Sequence, residues 1–496
     1  GDHRDLHLSL RRQRQMCIRD SRLTHMNFIL ASQSLTRFHA LKCAGLDFDT
    51  VSAKIDEENI SRALLSDKTP HREIADTLAE YKAKKISNKW PDSLVLGCDQ
   101  ILSLGDQIIE KPYSLAELRE NLKKISGKRH QLITANVIYK ERNPVWRHIA
   151  VSSLTMVSMN SQEIDDLSQQ TWNKAQHNSA NYYFEEIPYM FLDVRGNWFD
   201  ILGVSVNEIV NFINQNNYTP KARAPKVVAL LGSPVSHSKS PLMHKHWLSK
   251  NKVSGDYIAI DVPKEGLSNA LRVLTSVGLS GFNVTLPHKQ EALIIANKKT
   301  KTANKIGAAN TLIVDQNGII TADNTDGYGF ITNLQLNSKN WIATSGSALV
   351  LGSGGAARAI LFSLLDAGVP KIYLSNRTKA RSNKLAKELS TKIQVVDWDS
   401  KEDYLSKIAI LVNTTSLGMK GKPPLSLDLS SLNPKTLVTD LVYSPLETKL
   451  LREAKAIGCD VVGGIGMLIY QGVPGFKEWF GIAPKVDGEI MKLVTK

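Results

Sequence analysis

At residues 348–351 an apolar run meets Gly352-Ser353-Gly354-Gly355-Ala356-Ala357, and a helical run follows to Gly368. This is G-x-G-x-x-A between a strand and a helix. The first glycine makes a tight turn, the second lets the backbone approach a pyrophosphate, and the small last residue lets helix and strand pack closely. The helix N-terminus offers free N–H groups and a positive dipole to phosphates. A second strand-like run, KIYLS, leads into Asn376-Arg377-Thr378, with Lys379 and Arg381 close behind. An acid there would hold a ribose 2′-hydroxyl, whereas an arginine fork suits a 2′-phosphate. The expected cofactor is therefore NADP rather than NAD. The plain alternative is a solvated basic loop after a strand.

Polar strings also interrupt apolar ones over 226–330 and 460–480. They are Ser238-Lys239-Ser240-Pro241, Asn283-Val284-Thr285 with Lys289, Ala309-Asn310-Thr311, Asp323-Asn324-Thr325-Asp326-Gly327, and Gly466-Met467 with Gln471. Taken singly, each reads as a turn or a helix cap.

Near the start, Ser32 and Ser34 end the run NFILASQS, and Arg37 follows one helical step on. Hydroxyls and a guanidinium at a helix N-terminus suit phosphate. Asp56, Glu57 and Glu58 form an acidic string, and Asp99 follows a buried run. Acids on separate loops can share a Mg²⁺, and Lys82 and Lys111 could reach phosphates. A capped helix, a solvated acidic turn and exposed lysines are the structural alternatives.

The elements that must carry these residues follow from the hydrophobic pattern. NFILASQS reads as a strand before the helix LTRFHALKCAG; residues 70–88 read as an amphipathic helix; SLVLGCD and QLITANVIYK read as strands. Polar NQNNYTPKARAPK reads as a linker. VVALLG, GDYIAIDV and GLSGFNVT then read as strands, with SPLMHKHWLSKN a helix, which suggests α/β layers on a parallel sheet. With 496 residues, the chain has room for about three domains. A net charge of +14 suits anionic ligands. No basic run interleaved with aromatics, zinc-finger pattern or long apolar span is present, so neither nucleic acid nor a membrane is an expected partner. Cys17, Cys43, Cys98 and Cys459 form no C-x-x-C pair, which suits a reducing cytoplasm. Residues 1–25 carry six arginines and no lysine and are read as a non-native extension, with the real start at Met26.

Taken together, GSPVSHSKSP, NVTLPHK, AANT, DNTDG, GSGGAAR, SNRT, NTTSLGM and GIGMLIYQG resemble shikimate dehydrogenase over about 226–496. The resemblance implies reversible NADP-linked reduction of 3-dehydroshikimate to shikimate. It places Ser238 and Ser240 on the substrate carboxylate, and Asn283, Thr285, Asn310 and Gln471 around the ring hydroxyls. Lys289 and Asp326 become the proton-handling pair. Gly352, Gly354, Gly355 and Ala356 line the pyrophosphate, while Asn376, Arg377, Thr378 and Arg381 hold the 2′-phosphate. Tyr443 and Gly464 sit near nicotinamide and substrate. Hydride arriving at a carbonyl builds charge on oxygen, so a proton donor must stand there. Val235-Ser236 and Leu286 are small departures that leave quinate open as an alternative substrate.

LASQSLTR, KIDEEN, AEYKAKK, LGCDQIL, IEKP and ISGKRHQLITA resemble the Maf family of nucleotide pyrophosphatases. That implies hydrolysis of nucleoside triphosphates to monophosphate and pyrophosphate, with Mg²⁺ or Mn²⁺. Ser32, Ser34 and Arg37 would bind phosphates, Glu57 and Asp99 metal or water, and Lys82 and Lys111 the triphosphate charge. His130 also matches a family position. Three features depart from the family: Leu35-Thr36-Arg37 replaces Pro-Arg-Arg, Asp99-Gln100 replaces Asp-Thr, and Glu185 or Glu186 stands near an expected glutamine. A degenerate nucleotide-binding domain is the alternative. The expected architecture is an α/β fusion: a Maf-like domain at 26–215, a linker at 216–225, a substrate domain at 226–333 completed by 466–496, and a Rossmann domain at 334–465. A homodimer stays open.

Overall fold

The computed structural model describes residues 28–175, 178–218, 222–339 and 341–495. The stretch read as a non-native extension, the start at Met26 and residues 219–221 of the expected linker lie outside the described residues. The chain forms two compact units. The first comprises residues up to Glu110, Gln131–Val151 and Phe199–Arg223; the second comprises Lys111–His130, Ser152–Trp198 and the chain from Ala224 onward.

In the first unit, β1 (Phe28–Leu30) pairs in parallel with β2 (Asp49–Thr50) and β3 (Leu94–Leu104). Strand β3 pairs antiparallel with β4 (Gln107–Ile109) and β5 (Arg129–Lys140). The run NFILASQS is a strand only to Leu30, because Ser34 caps the helix Leu35–Cys43 by accepting from the Arg37 N–H. SLVLGCD, by contrast, continues to Leu104, since its apolar residues pair with β5 along almost the whole length. The helix His71–Ser87 lies on β3, buried through Ile74, Leu78 and Ile86. The approach is close because Gly97 faces Ala79 and Ala83. A Cβ on Gly97 would sit 2.1 Å from the Ala79 carbonyl oxygen.

Strand β6 (Asn143–Met156) begins in the first unit; in the second, its last residues, Ser153–Met156, pair antiparallel with β7 (Phe191–Arg195). A six-stranded sheet follows, built from β8 (Lys226–Gly232), β9 (Gly255–Asp261), β10 (Gly281–Val284), β11 (Lys298–Lys299), β12 (Thr311–Val314) and β13 (Ile320–Asp323). Its order is β11-β13-β12-β10-β8-β9. The alternation of elements suggested a parallel sheet, but this one is mixed: β12 runs antiparallel to both β10 and β13. The reason is local. Asp315 accepts from the backbone N–H groups of Asn317 and Ile319, and Gly318 takes a positive φ of 75°, so the chain reverses at once instead of crossing over. The other sheet, of β14 (Ser347–Leu351), β15 (Ile372–Ser375), β16 (Ile393–Val396), β17 (Ile408–Asn413), β18 (Leu437–Asp440) and β19 (Asp460–Val462), is wholly parallel in the order β16-β15-β14-β17-β18-β19. Helices then return the chain to the mixed sheet. Phe476 and Trp479 of the helix Ile465–Phe480 share a core with Val228, Leu230 and Tyr257.

Candidate functional site

A cleft of about 250 Å³ is lined by Ser238, Ser240, Asn283, Thr285, Lys289, Asn310, Asp326, Tyr443 and Gln471. All nine were singled out from the sequence, eight of them from five separate strings and Tyr443 through the resemblance. Leu230, Pro234, Val235, His237 and Val284 complete the lining. His237 lies inside a quoted string, but nothing in its type marked it.

Each residue is held by an identifiable local feature. Ser240 starts the helix Ser240–Lys250, and its N–H donates to Ser238 Oγ at 3.2 Å. Asn283 lies near the end of β10, buried, and its Nδ2 donates to the Asn310 carbonyl at 3.0 Å. Lys289 opens the helix Lys289–Ile295, and Asp326 opens the helix Asp326–Asn337. Their side chains form an ion pair, 15% and 8% exposed respectively, so water screens it little. DNTDG is thus not a plain turn: Asn324 accepts from the Asp326 N–H at 3.1 Å and sets the helix start. Asn310 ties the site together. Its Nδ2 lies 2.8 Å from Asp326 Oδ1 and 3.1 Å from Gln471 Oε1, while its Oδ1 accepts from the Thr325 N–H at 2.9 Å.

Gln471 reaches Asn310 because two helices touch through glycine. A Cβ on Gly329 would lie 2.6 Å from both Gln471 Cβ and Gln471 N. Gly329→Ala is therefore expected to part these helices, destabilise the unit by about 1–3 kcal/mol and lower kcat/KM. Thermal unfolding and steady-state kinetics check it, and an unchanged kcat/KM would remove Gly329 from the positioning of Gln471.

The glycine turn lies after β14. Gly352 has φ of 109°, and a Cβ there would sit 2.5 Å from Thr414 Oγ1. Around Gly354 and Gly355 a Cβ would meet nothing within 4 Å, and no side chain caps the helix Gly355–Asp366. An uncapped helix start facing open space fits a pyrophosphate. Arg377, Thr378 and Arg381 are exposed beyond β15, and Asn376 is half-buried. Lys379 pairs with Asp397 at 2.6 Å, while Arg377 and Arg381 form no ion pair among the described residues. Ala356 is half-buried beside the turn. Gly464 caps the helix Ile465–Phe480, and a Cβ there would lie 2.3 Å from the Leu441 carbonyl oxygen.

In the first unit, Lys82 Nζ lies 2.6 Å from Asp99 Oδ1 and 3.0 Å from Glu57 Oε1. Burial works against the lysine charge, but Asp99 and then Glu57 outweigh it and hold its pKa above the usual lysine value. Burial raises the Asp99 carboxyl, and Lys82 opposes that rise. Arg37 donates to the carbonyls of Gly203 at 2.9 Å and Cys98 at 3.1 Å. Ser32 Oγ accepts from the Ser34 N–H at 3.1 Å. Gln100 is spent on packing, bonding Thr134 and the carbonyls of Asp200 and Ile201. Lys111 is exposed and belongs to the second unit. So does buried His130, whose Nε2 meets the Tyr182 hydroxyl at 2.7 Å, and whose pKa burial pushes down to about 4. Burial likewise raises Glu185 to about 7. Glu57 and Asp99 are both engaged by Lys82, and no group of three His, Cys, Asp or Glu able to hold a metal occurs among the described residues. As placed, this donor set does not fit a divalent cation.

A parallel sheet with a glycine turn at its first strand, joined to a mixed-sheet domain carrying a buried lysine–carboxylate pair, defines a Rossmann-type oxidoreductase. Residues 230–312 match the shikimate dehydrogenase substrate binding domain, and 337–419 match shikimate / quinate 5-dehydrogenase. Residues 27–216 match the Maf-like protein family. Shikimate dehydrogenase (NADP(+)) of Paracoccus denitrificans is 48% identical over 276 residues, covering 56% of this chain and 97% of that protein. A solved shikimate dehydrogenase in complex with NADP+ is 34% identical with a TM-score of 0.51, covering 55% of this chain and 94% of that one. Another, from Listeria monocytogenes with shikimate and NAD, is 28% identical with a TM-score of 0.52, covering 56% and 99%. The chain belongs to the shikimate dehydrogenase family and carries a Maf-like domain ahead of the dehydrogenase domains. No helix among the described residues is long and apolar enough to cross a membrane.

Proposed function

We propose that residues 226–496 catalyse the NADP-dependent, reversible reduction of 3-dehydroshikimate to shikimate. The observation that carries this reading is the convergence of the Lys289–Asp326 pair with Ser238, Ser240, Asn283, Thr285, Asn310 and Gln471 on one cleft. Bound NADP supplies or accepts the hydride. The chain's own residues do the rest. Ser238 and Ser240 hold the carboxylate, and Asn283, Thr285, Asn310 and Gln471 orient the ring hydroxyls. Lys289 gives its proton to the carbonyl oxygen as negative charge builds there and takes it back in the reverse direction. Asp326, fixed by the Asn310 amide, holds the ammonium in place. Gly352, Gly354, Gly355 and Ala356 would hold the pyrophosphate, Asn376, Arg377, Thr378 and Arg381 the 2′-phosphate, with Tyr443 and Gly464 by the nicotinamide.

The test is formation of reduced cofactor from shikimate and NADP, with NAD and quinate as controls. NADP-specific turnover of shikimate supports the reading; folded protein with no turnover overturns it. Arg377→Ala removes a charge-assisted donor fork, so the preference for NADP over NAD should fall about tenfold to a hundredfold. The ratio of kcat/KM for the two cofactors measures it, and an unchanged ratio would move the 2′-phosphate elsewhere.

For the Maf-like domain we infer hydrolysis of nucleoside triphosphates to monophosphate and pyrophosphate. What favours this over a degenerate domain is the buried Lys82 between Glu57 and Asp99, with Arg37 close enough to act on both Lys82 and Asp99 electrostatically. Concentrating charge in a buried place costs desolvation and is characteristic of working sites. No step is assigned to a metal. Pyrophosphate release from the common triphosphates, with and without Mg²⁺ or Mn²⁺, tests the inference; silence with all of them favours the degenerate domain.

A further inference from the structure

Tyr257 lies on β9, fully buried and outside the lining of the cleft. Its ring stacks on that of His244 with centroids 4.1 Å apart and an interplanar angle of 2°. His244 is itself enclosed by Trp247, Phe476 and Trp479, and among the described residues neither of its ring nitrogens has a hydrogen-bond partner. Burial pushes its pKa down to about 3, so the ring under the tyrosine stays neutral. A neutral, tightly enclosed platform leaves Tyr257 little freedom to turn.

The hydroxyl that this platform aims meets a residue that lines the cleft: it donates to Asn283 Oδ1 at 2.6 Å. On its other side the Asn283 amide N–H₂ donates to the Asn310 carbonyl at 3.0 Å. That carbonyl can only accept, so it requires the N–H₂ on its side, and the phenol gives its one proton to the Oδ1 that then faces it. The two bonds together hold the amide of one substrate-facing residue from both ends.

We propose that Tyr257, aimed by His244, is a positioning residue that fixes Asn283 for a ring hydroxyl of the substrate; this rests on the shikimate reading above. Tyr257→Phe keeps the ring on His244 and removes only the hydroxyl. The expected result is a rise in KM for shikimate of about threefold to tenfold, the worth of a neutral hydrogen bond, with KM for NADP unchanged. In an Asn283→Ala background the same change should cost clearly less, because the group it orients is gone. A purely structural role would give additive losses and lower both affinities together. Wild-type protein that turns over shikimate, together with a Tyr257→Phe variant of equal shikimate KM or with additive losses in the double variant, overturns the proposal alone. Wild-type protein that does not turn over shikimate overturns the reading beneath it.

Discussion

Lys289→Ala is expected to lower turnover of shikimate by about a hundredfold to ten-thousandfold, the usual worth of a positioned proton donor. Lys289 is the ammonium of the ion pair with Asp326 in the cleft, and its carbonyl accepts from the Ala309 N–H at 2.7 Å. That second bond belongs to the backbone and survives the substitution. Asp326 also keeps the Asn310 amide at 2.8 Å, so the cleft retains most of its framework. The glycine turn lies on a different sheet, so the affinity for NADP should change little. A fluorescence titration of NADP, set beside single-turnover rates, separates the two effects. Near-normal turnover would remove Lys289 from the chemistry; loss of NADP binding in parallel would point to a folding defect.

Lys82→Ala produces the second large effect, this time on the first unit. Lys82 and Asp99 are each 8% exposed in their side chains, and the lysine supplies the only ion-pair partner of Asp99 among the described residues. Removing one member of such a pair strands the other charge in a poorly solvated place, which costs about 3–5 kcal/mol. Asp99 answers by taking up a proton, a shift in the direction that burial already drives. Amide exchange in the helix His71–Ser87 and in β3 should then quicken by about a hundredfold or more. A Lys82→Met, Asp99→Leu double variant should recover much of the loss, because it buries no charge. Exchange rates unaltered by Lys82→Ala would mean that the pair is solvated in solution.

The extent to which the site was legible in the sequence differs by residue. Gly352 stood out because G-x-G-x-x-A falls between a strand-like and a helix-like run; in the structure its φ is positive and Thr414 leaves no room for a side chain. Asn310 and Gln471 stood out only through the strings around them, since an amide on its own has many uses. Tyr257 gave no signal at all: in GDYIAIDV it is one more residue of an apolar strand, and its hydroxyl has meaning only once β10 lies alongside. Gln100 shows the reverse case. It is conspicuous beside Asp99, yet it is consumed by Thr134 and two carbonyls.

Local pattern carried the α/β class and the glycine turn, because turns, caps and strand periods are decided by short-range sterics. The nine cleft residues were reached only through the resemblance that their strings, in order, bear to a known family. The antiparallel β12 came from a short turn at Asp315–Gly318 that the alternation of elements does not reveal. Tertiary structure alone decided two further things. The meeting of Gln471 with Asn310 required two helices, far apart in sequence, to touch through Gly329. The pairing of Lys82 with Asp99 needed the space that Gly97 leaves under Ala79 and Ala83. Each depends on how closely two surfaces approach, and that distance is set by packing between segments, which local sequence does not encode.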